Sequence, residues 1–374
     1  MYVPRIQLDK LLKAPQGKVT VLYGARRTGK TTLLKKLIEG RDDYLFVTGE
    51  DLFVSEALSS SSLEKLRAFV GDKKLLIIDE AQYIPDVGKN IKLIIDHIEH
   101  LTVVVTGSST LDIMGQIGEP LTGRQQTLYL FPISQRELSS IESDVDTKAR
   151  LESRLLYGGY PEVITLESDR DREAYLRELV SSYLLKDILS FEGVQKAKKL
   201  VDLLILLAFQ IGKEVSHAEL ATTLSLNKAT VERYLDLLEK AFVIFPIRGF
   251  SRNLRKEVTK SPRYYFYDIG IRNAIIANFN RLDRRDDVGM VWENYLACER
   301  IKKQHYDSIW SNNYFWRTYD QKEIDWVEER GGMIHGYEFK WGRTAVKAPK
   351  LWFDAYPNAT FEVVSKENYY AFIT

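Results

Sequence analysis

At 374 residues the chain exceeds what one hydrophobic core usually organises, so two to four domains are expected. Its 45% apolar and 28% charged content is that of a globular protein and excludes a disordered one, while a formal net charge of +1 leaves any nucleic-acid or membrane attraction to local patches. The single cysteine, Cys298, excludes an internal disulfide framework and a cysteine-based zinc site, and the five histidines form no HExxH or comparable pair.

The opening residues, Met1 to Lys13, lack the regions of a signal peptide, and the longest apolar run, Leu203 to Phe209, is too short to span a bilayer. A cytoplasmic protein with no membrane partner is expected. Val19 to Tyr23 then reads as a buried strand, followed by the loop Gly24-Ala25-Arg26-Arg27-Thr28-Gly29-Lys30-Thr31-Thr32 and a helix carrying Leu33, Leu34, Leu37 and Ile38. In that order the glycines let backbone N–H groups turn in on phosphates, and the helix N-terminus adds positive charge. Lys30 would reach the β and γ phosphates of a nucleoside triphosphate, and the Thr31 hydroxyl would hold Mg²⁺.

A second apolar run, Leu75 to Ile78, ends in Asp79-Glu80, at the end of a strand where open α/β sheets bind ligands. Asp79 would hold Mg²⁺ through its water shell, and Glu80 would polarise the attacking water. The third run, Leu101 to Val105, closes with Thr106-Gly107-Ser108-Ser109, which either forms a simple turn or senses the γ-phosphate, with Ser108 best placed to do so. Arg124, just before the strand-like run Gln126 to Phe131, is either an arginine finger or a surface cation.

From Leu151 to Gly193 the sequence reads as mainly helical, interrupted at Gly158-Gly159-Tyr160-Pro161. An apolar helix spans Val201 to Ile211, and Ser216 with Glu219 three residues on has the pattern of a capped helix start. A turn at Ser225-Leu226-Asn227, a helix over Lys228 to Lys240 and a strand over Val243 to Ile247 complete the pattern of a winged helix-turn-helix. Its second helix would present Lys228, Thr230 and Arg233 to DNA. The segment Arg248 to Arg263, with Arg252, Arg255 and Lys256 at its centre, would contact phosphates as a basic wing. A protein partner is the alternative occupant.

The last third alternates a helix over Val291 to His305 with strands at Tyr314–Thr318, Glu323–Glu328 and Ile334–Trp341, the last two joined at Gly331-Gly332. Glu338 and Lys340, two apart, share a sheet face, and Asp325 lies in the facing arm. Two carboxylates could hold Mg²⁺ while the lysine steers the water that attacks a phosphodiester, with Glu293 as a further carboxylate. A cross-strand salt bridge is the plain alternative.

The stretches GARRTGKTTL, LLIIDEAQ, VVVTGSS, LTGRQQTLYLFPIS and YGGYPEVI, in this order, resemble AAA-type ATPases of bacteria and archaea with a C-terminal domain of unknown function. The resemblance implies ATP, a RecA-like sheet in which the Ser108 strand separates the P-loop strand from the Asp79 strand, and a helical lid. It also favours Arg124 as a finger, within the chain or on a neighbour in a homo-oligomer, and a phosphate or partner contact for Arg26-Arg27. FWRTYDQKEIDWV and GYEFKWG resemble the PD-(D/E)xK nuclease superfamily, matching Asp325, Glu338, Lys340 and Glu293 to its motif. The expected organisation is therefore α/β throughout: a P-loop ATPase core at 1–140, a helical lid at 141–200, a winged helix at 201–265 and a small nuclease-like domain at 266–374. Two functional readings follow, an ATP-dependent DNA-processing protein and a nucleotide-controlled switch that binds DNA or protein without cleavage.

Overall fold

A computed structural model describes residues 2–107, 121–184, 197–251, 261–318, 320–342 and 346–374. They form two compact units, one of residues 2–131 with 240–242, the other of 132–239 and 243–374.

In the first unit, the described strands β1 (Val19–Tyr23), β2 (Tyr44–Thr48), β3 (Leu75–Asp79), β4 (Thr102–Gly107) and β5 (Gln125–Tyr129) form a parallel sheet in the order β2-β3-β4-β1-β5. The sequences VTVLY and LLIID are continuous apolar runs because both faces of a parallel sheet are covered, and every residue of β1 and β3 is buried. Leu33, Leu34 and Leu37 of the helix Lys30–Leu37 close one face over Leu22, Ile77, Val104 and Leu130. The strand order places β4 between β1 and β3, and the parallel sense brings Tyr23, Asp79 and Gly107 to one edge.

The second unit begins with short helices at Gln135–Leu138, Asp144–Ala149, Leu151–Tyr157, Pro161–Thr165 and Asp169–Glu178. Pro161 stands in the first turn of its helix, where a missing N–H costs nothing. The helices Ala197–Phe209, His217–Leu224 and Lys228–Lys240 follow, the second opened by the Ser216 hydroxyl accepting from the Glu219 amide and the third by Asn227 Oδ1 accepting from the Thr230 amide at 2.7 Å.

Beyond them, β6 (Ile244–Gly249), β7 (Arg263–Phe266), β8 (Asn312–Arg317), β9 (Glu323–Arg330), β10 (Met333–Phe339) and β11 (Thr360–Val364) make a sheet of order β11-β10-β9-β8-β6-β7. The helix Val288–Asp307 precedes β8, and the helix Lys350–Ala355 forms the crossover to β11, which runs parallel to β10. Gly331 and Gly332, with φ of 57° and 76°, make the tight β9–β10 turn that L side chains disfavour. The sheet crosses the expected domain boundary at 265/266, which falls inside β7. The β6–β7 hairpin joins the later strands through Arg248↔Tyr314, Gly249↔Phe315 and the Phe250 amide on the Phe315 carbonyl at 2.6 Å. The first compact unit likewise ends at Phe131, before the expected 140.

Candidate functional sites

The P-loop leaves the carboxyl end of β1 under tight steric control. A Cβ on Gly24 would collide with the Leu130 carbonyl oxygen, and Gly29, at φ 93°, makes the left-handed turn into the helix Lys30–Leu37. Thr28 ties the loop back by donating to the Ala25 carbonyl at 2.8 Å, and Lys30, 5% exposed, donates to the Gly24 and Ala25 carbonyls at 2.9 and 3.1 Å. Arg27 holds a left-handed φ of 64°, Arg26 donates to the Tyr83 hydroxyl at 3.3 Å, and Thr32 is exposed in the first helical turn.

The acidic side of the site comes from β3 and is fastened by β4. Thr31 donates to Asp79 Oδ2 at 2.7 Å, and the buried Thr106 hydroxyl donates to Asp79 Oδ1 while accepting from the Glu80 amide at 3.1 Å. Glu80 itself has a φ of 50°, and Gln82 donates to its Oε2 at 2.5 Å. Thr31 and Asp79 thus meet where Mg²⁺ would lie, and Glu80 is turned out of the strand beside them. Sequence reasoning gave sensing to Ser108, which lies outside the described residues. It named Thr106 only within that hydroxyl run and missed Gln82 and Arg5, whose buried guanidinium donates to the Thr28 carbonyl at 2.8 Å and the Phe131 carbonyl at 2.6 Å. An arginine inside the apolar opening Tyr2-Val3-Pro4 was the available signal for the last of these.

The structure corrects one reading of Arg124. It precedes β5 at the amino edge of the sheet, its carbonyl accepting from the Val19 amide, so a strand's length of roughly 15 Å separates it from the P-loop. Its guanidinium pairs with Asp96 on the helix Val87–His97. This position, at the sheet edge opposite the P-loop, does not support a finger acting on its own chain's nucleotide.

In the second unit, Glu293, Asp325, Glu338 and Lys340 do come together. One pair beyond Tyr337↔Trp326 in the β9–β10 register, Glu338 faces Asp325, whose Oδ2 accepts from the Phe339 amide at 2.8 Å. Tyr314↔Val327 followed by Trp316↔Ile324 leaves Asp325 and Trp326 opposite Phe315 alone, a bulge of the kind that re-aims side chains at functional sites. Lys340 donates to Glu338 Oε1 at 2.6 Å, and Tyr265 donates to Glu293 Oε1 at 2.6 Å.

Arg263 enters the same cluster. Its Nη1 lies 3.6 Å from Glu293 Oε1 and 3.9 Å from Asp325 Oδ1, its Nη2 lies 2.7 Å from Glu323 Oε2, and its guanidinium stacks 4.3 Å from the Phe315 ring centre. Burial pushes Glu293 up to about 7 despite Arg263 and the Tyr265 hydrogen bond. Burial, then the carboxylates of Glu293 and Glu338, push Asp325 well above the usual range. For Arg263 burial alone would lower the value, but Tyr265 and the surrounding acids raise it.

Two expectations change here. Arg263, read as part of a solvent-facing basic wing, is buried, which the aromatic run Tyr264-Tyr265-Phe266 after it signals as a strand position. The metal pair Asp325 and Glu338 is filled by arginine and lysine, and among the described residues no group of three or more His, Cys, Asp or Glu is arranged to hold a metal ion.

On the helix Lys228–Lys240, Lys228 and Arg233 are exposed and Thr230 is half-buried. Lys228 pairs with Glu232 at 3.4 Å, and Arg233 lies over the Tyr234 ring. Arg252, Arg255 and Lys256 lie outside the described residues. No helix among the described residues is long and apolar enough to cross a membrane.

Comparison with known proteins agrees with the first site. Residues 16–139 match the model of the AAA domain family, in agreement with the P-loop reading of that stretch. Residues 148–282 match a domain of unknown function, DUF8612, and residues 288–357 another, DUF4143. Similar proteins include uncharacterized proteins of Mycobacterium bovis and Mycobacterium tuberculosis, each 28% identical over 326 residues, 86% of this chain and 70% of theirs. An uncharacterized protein of Haemophilus influenzae is 24% identical over 343 residues, 84% of this chain and 80% of its own.

Among solved structures, a signal transduction ATPase with a tetratricopeptide repeat sensor from Pyrococcus horikoshii aligns with a TM-score of 0.30 and 16% identity. That alignment covers 81% of this chain and 46% of the longer Pyrococcus chain. Cdc6p of Pyrobaculum aerophilum aligns with a TM-score of 0.28 and 14% identity, over 74% and 96%. Both likenesses are distant.

Proposed function

We propose that the chain hydrolyses ATP with Mg²⁺ and uses the nucleotide cycle to act on DNA. The observation that carries the first half is the linkage Thr31–Asp79–Thr106–Glu80, which joins the Mg²⁺ ligands to the residue that polarises water. Lys30 and the loop amides would bind the β and γ phosphates, and Mg²⁺ would supply charge neutralisation between them. Purified chain should release phosphate from ATP with Mg²⁺ and stop when EDTA removes the ion; equal release in both conditions would remove the metal from the reaction. Arg124, facing away from its own nucleotide, would serve only a neighbouring copy.

The second half rests on the three helices followed by a hairpin over residues 197–266, the order of a winged helix, with Lys228 and Arg233 exposed on the second helix of the turn. Strands and helices from Val288 to Val364 follow the order helix, three antiparallel strands, helix, parallel strand, which supports the PD-(D/E)xK-like reading of Glu293, Asp325, Glu338 and Lys340. Arg263 within that set favours the alternative, a switch that grips DNA, or a protein, without cutting it. Lys228→Glu with Arg233→Glu should weaken DNA binding and reduce the log–log salt slope by about 0.9 for each phosphate no longer neutralised. An unchanged slope would assign this helix to a protein partner. Nicking of supercoiled DNA that disappears in Asp325→Ala separates cutting from gripping.

A further inference from the structure

We propose that Arg263 is the resident cation of the carboxylate cluster, and that the cluster admits a divalent ion only when this side chain is out of it. The inference rests on reading Glu293, Asp325 and Glu338 as a nuclease-like ligand set, and it assigns that set a closed state.

Geometry makes the arginine and a metal mutually exclusive. A divalent ion draws carboxylate oxygens to roughly 2.0–2.6 Å and keeps waters around it. Here a guanidinium spans Glu293 Oε1, Asp325 Oδ1 and Glu323 Oε2 at 3.6, 3.9 and 2.7 Å, with Phe315 at its back. The side chain is only 4% exposed, so it fills the space between the acids. Only its Nη2 is within hydrogen-bond distance of an acid, Glu323, and its Nε is buried without a partner, so the guanidinium neutralises the acids more than it satisfies them.

The closed state leaves one acceptor unmet. Glu338 Oε2 is buried without a hydrogen-bond partner, although Oε1 has Lys340. A buried carboxylate oxygen left unpaired is costly, and a divalent ion shared with Asp325 would satisfy it.

Arg263 is the first residue of β7, which pairs with β6 on one side and on the other accepts from the Gly212 amide at the Tyr264 carbonyl, beside the Val215 amide on the Pro262 carbonyl at 2.9 Å. The turn at Gly212 lies over the same cluster: a Cβ there would meet Glu293 Oε1 at 2.8 Å, and Glu214 bridges to Arg263.

The test is Mn²⁺ binding to the full chain without nucleotide, followed by electron paramagnetic resonance. Wild type and Asp325→Asn should bind equally, whereas Arg263→Gln should gain one Mn²⁺ per chain that the Arg263→Gln, Asp325→Asn double variant lacks. If Arg263→Gln fails to fold, Arg263→Gln with Glu323→Gln removes one charge of each sign and leaves Glu293, Asp325 and Glu338 for the same measurement. Mn²⁺ bound by wild type and lost in Asp325→Asn overturns the closed state while leaving the nuclease-like ligand set standing. No gain in either arginine variant overturns the ligand set itself.

Discussion

Glu80→Gln should retain nucleotide and lose turnover by about 10²–10⁴-fold, the usual contribution of a positioned general base. The amide keeps the shape of the side chain and its bond to Gln82 while removing the charge that draws a proton from water. The surroundings are built for the charged group: the backbone takes a left-handed φ of 50°, which a non-glycine residue adopts at a cost, and the Thr106 hydroxyl holds the amide at 3.1 Å. Lys30→Ala is the contrasting variant, expected to lose binding as well, since Lys30 supplies the cation at the β and γ phosphates. Single-turnover hydrolysis beside fluorescent-nucleotide binding separates the two. Wild-type turnover in Glu80→Gln would assign water activation to another group.

Glu328→Ala should destabilise the second unit by about 3–5 kcal/mol, the range for breaking a buried ion pair from one side. Glu328 is fully buried and accepts from Arg300 Nε and Nη2 at 2.5 and 2.8 Å, Trp326 Nε1 at 3.1 Å, Gln304 at 2.9 Å and Arg330 at 3.0 Å. Truncation would strand the Arg300 guanidinium, 5% exposed, beside the rings of Tyr337 and Phe372. Burial alone would raise the Glu328 value, but Arg300 and the other donors lower it below the ordinary 4.5. A lowered acid contributes stability that is present above 4.5 and lost as the pH falls through the folded value. Urea unfolding followed by tryptophan fluorescence reads the effect, and a loss under about 1 kcal/mol would show that the pair contributes little beyond its packing.

The first site was legible because its chemistry is local. A strand, a glycine loop, Lys30 and Thr31 are contiguous, and Asp79-Glu80 follows an unbroken apolar run, so period and composition alone place them. Thr106 was visible only as one of several small hydroxyl residues, since its role depends on β4 lying between β1 and β3. Arg124 stayed open between a finger and a surface cation because a position before a strand says nothing of which sheet edge it occupies until the strand's direction is known. Of the cluster in the second unit, the Glu338–Lys340 spacing and the Gly331-Gly332 turn were readable as a hairpin. The bulge at Asp325–Trp326 and the approach of Arg263 from a strand 62 residues away were not, because both depend on pairing between distant segments.

The parallel pairing of β6 with β8 also bears on how this protein can be cut into pieces. A fragment beginning after residue 266, where a boundary between modules suggests itself, would lose both hairpin strands and leave one side of β8 bare. That flank carries Tyr314, Phe315 and Trp316, and open aromatic strand edges pair with one another between molecules. The C-terminal segment expressed that way would self-associate, and an intact preparation would begin at Pro132 instead, so that the hairpin travels with the strands it covers.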